Sequence, residues 1–188
     1  MEKIFLETDR LILRQISEND FNDIANILQD IEIMYAWEKS FSDDEVLEWI
    51  NKNIDRYKSD GYSYFLAIDK INKKVVGVMG PLIENINGKE FIGVAYILNK
   101  ESWGIGYATE GTKECIRYIF ENTVAEKVIA QIRPENKSSI KVALRLGMEL
   151  EGEFTKLYEG KHMKHLIYSI KSKYLNTYFF IKKIVNLF

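Results

Sequence analysis

Trp103-Gly104-Ile105-Gly106-Tyr107-Ala108-Thr109-Glu110 follows the apolar run at 91–98 and opens a helical pattern that continues to about residue 120. Two glycines one residue apart, between a strand and a helix, build a turn whose backbone can approach a ligand closely. The helix behind them leaves its first amide N–H groups unpaired and partly positive, which suits an anion. Strand, glycine turn and helix together predict a loop that holds a pyrophosphate.

Upstream, Leu11 and Leu13 alternate with Ile12 and Arg14, which predicts a strand over 10–15. Ser17 to Asp20 reads as a helix start, with Phe21, Ile24, Ile27 and Leu28 at helical spacing behind it. Tyr35, Ala36 and Trp37 read as a short second helical piece. Ser42-x-x-Glu45 is a capping box, followed by the apolar stripe Val46, Leu47, Ile50, Ile54 and Tyr57. Strands are predicted at 64–69, 75–83 and 91–98, with turns at 71–74 and 84–89, where Asn87-Gly88 is a strong turn pair. Downstream of the loop come a strand at 127–132, a break at Arg133-Pro134-Glu135-Asn136, and a helix over 137–146 that stops at Gly147. Strands at 149–158 and 163–170 face each other across Glu159-Gly160-Lys161. The result is one mixed α/β domain over 1–170.

With 188 residues the chain is long enough for one well-buried core and short for two. A formal charge of −2 argues against a dedicated nucleic-acid binder. One cysteine excludes an intramolecular disulfide, and Cys115 with His162 and His165 cannot make a structural zinc site of the usual ligand types. The reading is a reducing, cytoplasmic setting with Cys115 as a small buried apolar residue. The first residues lack an apolar core of secretory length, and no run approaches the roughly 20 apolar residues that span a bilayer. The tail over 171–188 carries Tyr178, Phe179, Phe180, Ile181, Ile184, Val185, Leu187 and Phe188, broken by Lys182 and Lys183. It is expected to form an amphipathic helix that packs on the domain or on a second subunit, in a monomer or homodimer.

Three blocks, in order, resemble the GNAT N-acetyltransferase superfamily, and within it the branch of the ribosomal-protein N-terminal (alanine) acetyltransferases. They are Leu6-Glu7-Thr8-Asp9-Arg10-Leu11-Ile12-Leu13-Arg14, then Tyr96-Ile97-Leu98 with Trp103–Glu110, then Asn136-x-x-Ser139 with Leu146-Gly147-Met148 and Glu151-Gly152. The resemblance covers about 6–170 and implies a mostly antiparallel twisted sheet of about seven strands, flanked by helices, with one splayed parallel pair. It implies acetyl-CoA as co-substrate, no metal, and direct transfer of acetyl to a primary amine on a protein N-terminus or a small molecule such as an aminoglycoside. No nucleic acid and no stable membrane insertion are implied.

By resemblance, the backbone of Trp103, Gly104, Ile105, Gly106, Tyr107 and Ala108 cradles the CoA pyrophosphate. Ile97 or Leu98 then offers an N–H to the thioester carbonyl as it becomes an oxyanion, a contact that contributes ~3 kcal/mol. Asn136 orients the CoA arm, or caps the following helix, and Ser139 hydrogen-bonds the departing sulfur. The family's usual tyrosine acid is replaced by Ala143, and the branch's strand glutamate by Gly93. Glu90 is then the nearest carboxylate for a general base. Tyr35, Trp37 and Tyr64 are candidates to line the acceptor site. Glu101 stands where the family pattern has Gln or Arg, and its side chain is expected to point away from the phosphates. Glu110 is expected to make a structural hydrogen bond. Lys164 stands where the branch tends to carry Asp, which would suit an acceptor with an acidic group.

Ala143 and Gly93 also motivate an alternative, a catalytically silent acyl-CoA-binding or sensing module on the same fold. A flavin or nicotinamide protein is disfavoured, because the third glycine of that fingerprint would fall at Thr109.

Overall fold

The computed structural model describes residues 4–172, and the expectations for the tail beyond Ser172 lie outside the described residues. The chain runs β1 (Ile4–Glu7), β2 (Leu11–Arg14), α1 (Phe21–Leu28), α2 (Asp43–Ser59), β3 (Phe65–Asp69), β4 (Val75–Ile86) and β5 (Lys89–Leu98). It continues with α3 (Tyr107–Asn122), β6 (Lys127–Ile132), α4 (Lys137–Arg145), β7 (Glu149–Tyr158) and β8 (Lys161–Lys171). The strands form one eight-stranded sheet in the order β1-β2-β3-β4-β5-β6-β8-β7. Every neighbouring pair is antiparallel except β5 and β6.

Local chemistry explains most of these elements. Asn87-Gly88 and Glu159-Gly160 both adopt positive φ at both residues, the backbone of a two-residue hairpin turn that matches strand twist. That match lets β4 and β5 pair up to Ile86 and Lys89, so the turn is shorter than the 84–89 expected. At α2, Ser42 Oγ accepts from the Glu45 N–H (3.3 Å), and the Glu45 carboxylate accepts from the Ser42 N–H (2.9 Å). Gly147 sits at φ +78° past the end of α4, and the Met148 N–H reaches back to the Ala143 carbonyl (3.0 Å). Two expectations differ. Residues 35–37 form turns and not a helical piece, and Ile4–Glu7 adds an edge strand, giving eight strands where about seven were expected.

The sheet has a core on each face. Leu11, Leu13, Phe65, Met79, Ile116, Ile119, Val128 and Leu146 pack with α3 and α4. Ile24, Ile27, Leu28, Val46, Ile50, Leu66, Val78 and Leu82 pack with α1 and α2. Cys115 is 1% exposed inside the first core, where burial pushes its thiol pKa up and keeps it inert. Among the described residues no helix is long and apolar enough to cross a membrane.

Gly80 marks a close approach between β4 and the start of β3. A Cβ there would lie 2.0 Å from the Ser63 carbonyl oxygen. Ser63 cannot retreat freely, because its hydroxyl donates to the buried Asn53 side chain (2.6 Å). Gly80→Ala should therefore cost about 1–3 kcal/mol through overpacking. The measurement is the urea midpoint, expected to fall with an unchanged slope.

Candidate active site

The glycine turn is held from outside by a carboxylate clamp. Gly104 (φ +74°) and Gly106 (φ +95°) take left-handed backbone, and no side chain caps α3 behind them. The first bond back into the turn runs from the Glu110 N–H to the Gly106 carbonyl (3.1 Å), so the earlier amides of α3 have no backbone partner among the described residues, an arrangement that suits an anion. The Glu110 carboxylate accepts from the Thr8 hydroxyl, the Arg10 N–H (2.8 Å) and Arg10 Nε (2.6 Å). Arg10 in turn donates to the Ile105 carbonyl (3.2 Å) and lies 4.6 Å over the Tyr107 ring. The Tyr107 hydroxyl donates to Asp69. Thr8 and Arg10 thus anchor the loop, which gives the first sequence block its physical role.

β5 and β6 touch only at Ile92–Val128 and Gly93–Ile129, then part. The Asn99 N–H donates to the Val76 carbonyl (2.9 Å). Alternation along β5 then aims the Ile97 N–H at β4, and the N–H groups of Tyr96 and Leu98 into the gap. Of the two oxyanion donors considered, only Leu98 faces the opening. Its carbonyl on the same side is taken by the Trp103 indole N–H (2.9 Å).

Two cavities open into this gap. The first, of about 440 Å3, runs along Ile97, Leu98, Trp103, Gly104, Gly106, Tyr107 and Ala108, with Asn136, Ser139, Lys141 and Arg145 of α4 opposite. Tyr35 lies at its edge, 42% exposed. The second, of about 220 Å3, takes in Trp37, Tyr64, Glu84, Gln131, Lys156, Tyr158 and His165. Trp37, Tyr96, Asn136, Ser139 and Val142 border both. At this junction the Tyr96 hydroxyl donates to Ser139 Oγ (3.0 Å). Burial raises the Tyr96 pKa to about 12, so the phenol keeps its proton and leaves the Ser139 hydrogen directed elsewhere. The Asn136 side-chain oxygen accepts from the Ser139 N–H (3.0 Å) and the Ser138 hydroxyl (2.9 Å), so Asn136 is a helix cap that also borders the groove.

In this chain, residues 10–149 match the family model described as "Acetyltransferase (GNAT) domain". The chain belongs to the GNAT acetyltransferase family. Among its relatives, the uncharacterized protein YkkB of Bacillus subtilis is 31% identical over 147 residues, covering 78% of this chain and 86% of the relative. The ribosomal protein uS5-alanine N-acetyltransferase of Escherichia coli is 25% identical over 179 residues, covering 88% and 89%. A GNAT-family acetyltransferase from Bacillus anthracis has the same fold, with a TM-score of 0.77 at 22% identity over 90% of this chain and 99% of that one. Spermidine N-acetyltransferase from Vibrio cholerae, solved with CoA and spermine, has a TM-score of 0.69 at 24% identity over 88% and 98%. The chain is an N-acetyltransferase of this family, and its relatives include the ribosomal-protein branch that its three blocks resemble.

Within this GNAT frame, Glu90 and Lys164 border neither cavity, while Ile105, expected to act through its backbone, and Glu101, expected to point away, both lie toward the outside. The Ile105 side chain is 48% exposed and turns toward a hollow outside the 440 Å3 groove, with Glu101 on the same outer side. Glu90 is exposed at the start of β5, paired with Asn85, and borders neither cavity. Lys164 pairs with Glu153 (2.7 Å) on the exposed hairpin and also borders neither. Glu84 and Gln131 were not singled out from the sequence, yet both face the second cavity. The signal was an acidic residue in register with core positions of β4, near a glycine on β5.

The Glu110 clamp makes a pH prediction. Burial alone would raise the Glu110 pKa, but the bonds from Thr8 and Arg10 outweigh it and hold it below the ordinary carboxyl range. A depressed folded pKa means the stabilisation is complete above the unfolded value and fades as the pH falls through the folded one. Glu110→Gln should lose about 1–2 kcal/mol at pH 7, a figure already discounted for the half-exposed Arg10. Urea unfolding across pH 3–7 should show the gap to the parent protein closing on the acid side.

Proposed function

We propose that the protein uses acetyl-CoA as donor and transfers acetyl directly to a primary amine. The observation that carries this reading is the junction at Tyr96 and Ser139, where the groove beside the glycine turn meets the second cavity. The groove fits a CoA arm by its chemistry. An uncapped helix N-terminus and the glycine turn suit the pyrophosphate, and Lys141 and Arg145 add positive charge along α4. The apolar stretch at Ile97, Leu98 and Val142 suits the pantetheine. The spermidine acetyltransferase with the same fold binds CoA, which supports the assignment.

In this reading the acceptor enters from the second cavity, and once it is the free amine its nitrogen lone pair attacks the thioester carbon. The carbonyl π pair moves to oxygen, where the Leu98 N–H stabilises it. The oxyanion pair then re-forms the carbonyl as the C–S bond breaks with its electron pair on sulfur, and Ser139 donates a hydrogen bond to the thiolate. Tyr96 donates to a Ser139 lone pair, which leaves the Ser139 O–H available to donate to the sulfur. The remaining proton passes from the acylated nitrogen to the thiolate. Holding both reactants at one junction supplies the proximity term. Trp37, Tyr64 and Tyr158 offer the acceptor apolar walls.

Thiol release from acetyl-CoA over a panel of small amines and N-terminal peptides tests this directly. Tight CoA binding without turnover of any acceptor would favour the silent module. Ser139→Ala should lower kcat about 10–100-fold, the worth of a hydrogen bond to a charged sulfur, with acetyl-CoA affinity little changed. Gly106→Asp should sharply weaken CoA binding in calorimetry, since its carboxylate repels the pyrophosphate; unchanged affinity would count against the loop.

A further inference from the structure

We propose that Glu84, held by Gln131, is the ammonium-receiving and proton-accepting group of the second cavity, and that it reaches there through the space Gly93 leaves open. The inference rests on the transfer reading above and names the residue that prepares the acceptor.

The geometry begins with sheet register. Leu82 is buried among α1 and α2, and Glu84, two residues on, shares its face of β4. Leu82 pairs with Gly93 on β5, so Gly93 lies one step diagonally from Glu84. A Cβ built on Gly93 would lie 2.8 Å from Glu84 Cγ, and its other neighbours, the Ile129 carbonyl oxygen and Cγ1, would stand at ordinary contact distances of 3.5 and 3.6 Å. The Glu84 side chain therefore fills the volume that a residue at position 93 would claim. Gln131, on β6 beyond the parting of the strands, donates its side-chain N–H to Glu84 Oε2 (3.0 Å). One carboxylate oxygen is thus fixed and the other is left for a ligand. Tyr64 and Trp37 complete the surroundings.

The charges around Glu84 come from four elements. Lys156 on β7 and Arg56 on α2 attract it, while His165 on β8 and Arg133 after β6 stand around the same cavity. Burial outweighs the cations and the Gln131 bond, so the Glu84 pKa is raised above the ordinary glutamate range. That is the direction a general base needs. His165 is the competing base. Burial lowers its pKa, and its Nδ1 lies 3.0 Å from the Met163 carbonyl, which leaves Nε2 as an acceptor. Its ring is held by a carbonyl of its own strand, whereas Glu84 is held from across the strand gap by Gln131.

The proton balance is simple. An alkylammonium enters, one N–H bond breaks, its electron pair stays on nitrogen, and the proton moves to the Glu84 carboxylate. The carboxylic acid later returns that proton to water through the open end of the cavity. An alkylamine with a pKa near 10.4 is unprotonated about once in 2,500 molecules at pH 7, whereas an α-amino group with a pKa near 7.8 is unprotonated roughly one time in seven. Loss of the base should therefore hurt alkylamines more than peptide N-termini.

The test is acetyl transfer by the full chain to a panel of alkylamines and N-terminal peptides from pH 5.5 to 9. Wild type should turn over at least one amine, with an acid limb above the ordinary glutamate range. Glu84→Gln should lower kcat/KM for an alkylamine about 10²–10⁴-fold, remove that limb, and leave acetyl-CoA affinity within twofold. It should also unfold at the same or higher urea concentration at pH 7. A raised folded pKa favours the fold at low pH and loses that benefit as pH rises, so the ionised carboxylate is a burden at neutrality. A merely structural role would predict the opposite. Glu84→Asp should keep part of the rate. The double variant Glu84→Gly with Gly93→Glu, which sends a carboxylate into the same volume from β5, should recover at least tenfold over Glu84→Gln. A limb that survives Glu84→Gln and disappears in His165→Asn would overturn the assignment while leaving the transfer reading standing. No turnover of any amine by wild type would overturn the transfer reading, and the role of Glu84 with it.

Discussion

The parting of β5 from β6 is the constraint on which the rest of the molecule depends. Two parallel strands are joined at only two residue pairs, Ile92–Val128 and Gly93–Ile129. Beyond them the backbone of Tyr96 and Leu98 has no neighbouring strand on one side, which inside a folded domain needs a reason. The gap is tolerable because it is a cleft with polar groups directed into it. It remains open because both strands are secured on their other edges. β5 pairs along its whole length with β4, and β6 pairs along its whole length with β8. A weaker hold on either edge would let the two strands zip together and close both cavities.

The two faces of the sheet then divide the work. On the face of α3 and α4 lie the glycine turn and Ser139, and the turn is kept in place by Glu110, Arg10 and Thr8. The second cavity is lined by aromatic and charged side chains, among them Trp37, Tyr64, Glu84, Lys156, Tyr158 and His165. Tyr96 reaches across from the strand to Ser139 at the point where both regions meet. The glycine turn offers backbone to the groove, while Ser139, Lys141 and Arg145 line it with side chains. Glu101 stands near the turn but on its outer side, away from the groove.

Those same differences explain what could be read in the chain and what could not. Turn chemistry and helix caps act over a few residues, so Asn87-Gly88, Ser42-x-x-Glu45 and Gly147 were legible in the sequence, as were most strands and the glycine loop. β1 was not, because four residues at a sheet edge carry too short an alternation to register. Residues 35–37 have helix-compatible side chains but are bent into turns against the core, a tertiary override of local preference. Glu110 was expected to be structural and forms the loop clamp, although its partners lie about a hundred residues away, beyond the reach of local patterns. Glu90 was considered for the base because it is near Gly93 along the strand, yet the strand carries it out to the hairpin end.

Glu84 and Gly93 show how far proximity in sequence departs from proximity in space. In an antiparallel pair, residues close in space are separated by the whole hairpin, and Glu84 and Gly93 are neighbours only because the Asn87-Gly88 turn sets the register. What chemistry requires is a carboxylate in a given volume, not at a given position in the chain. Two adjacent strands can each supply it, provided the other keeps its side chain small, since both cannot occupy the space at once. The glycine and the acid are therefore one feature spread over two strands. Read singly, Gly93 looks like the loss of a catalytic group and Glu84 like a misplaced charge in a core strand. Read as a pair, they place one carboxylate in one volume, from the other side of the hairpin.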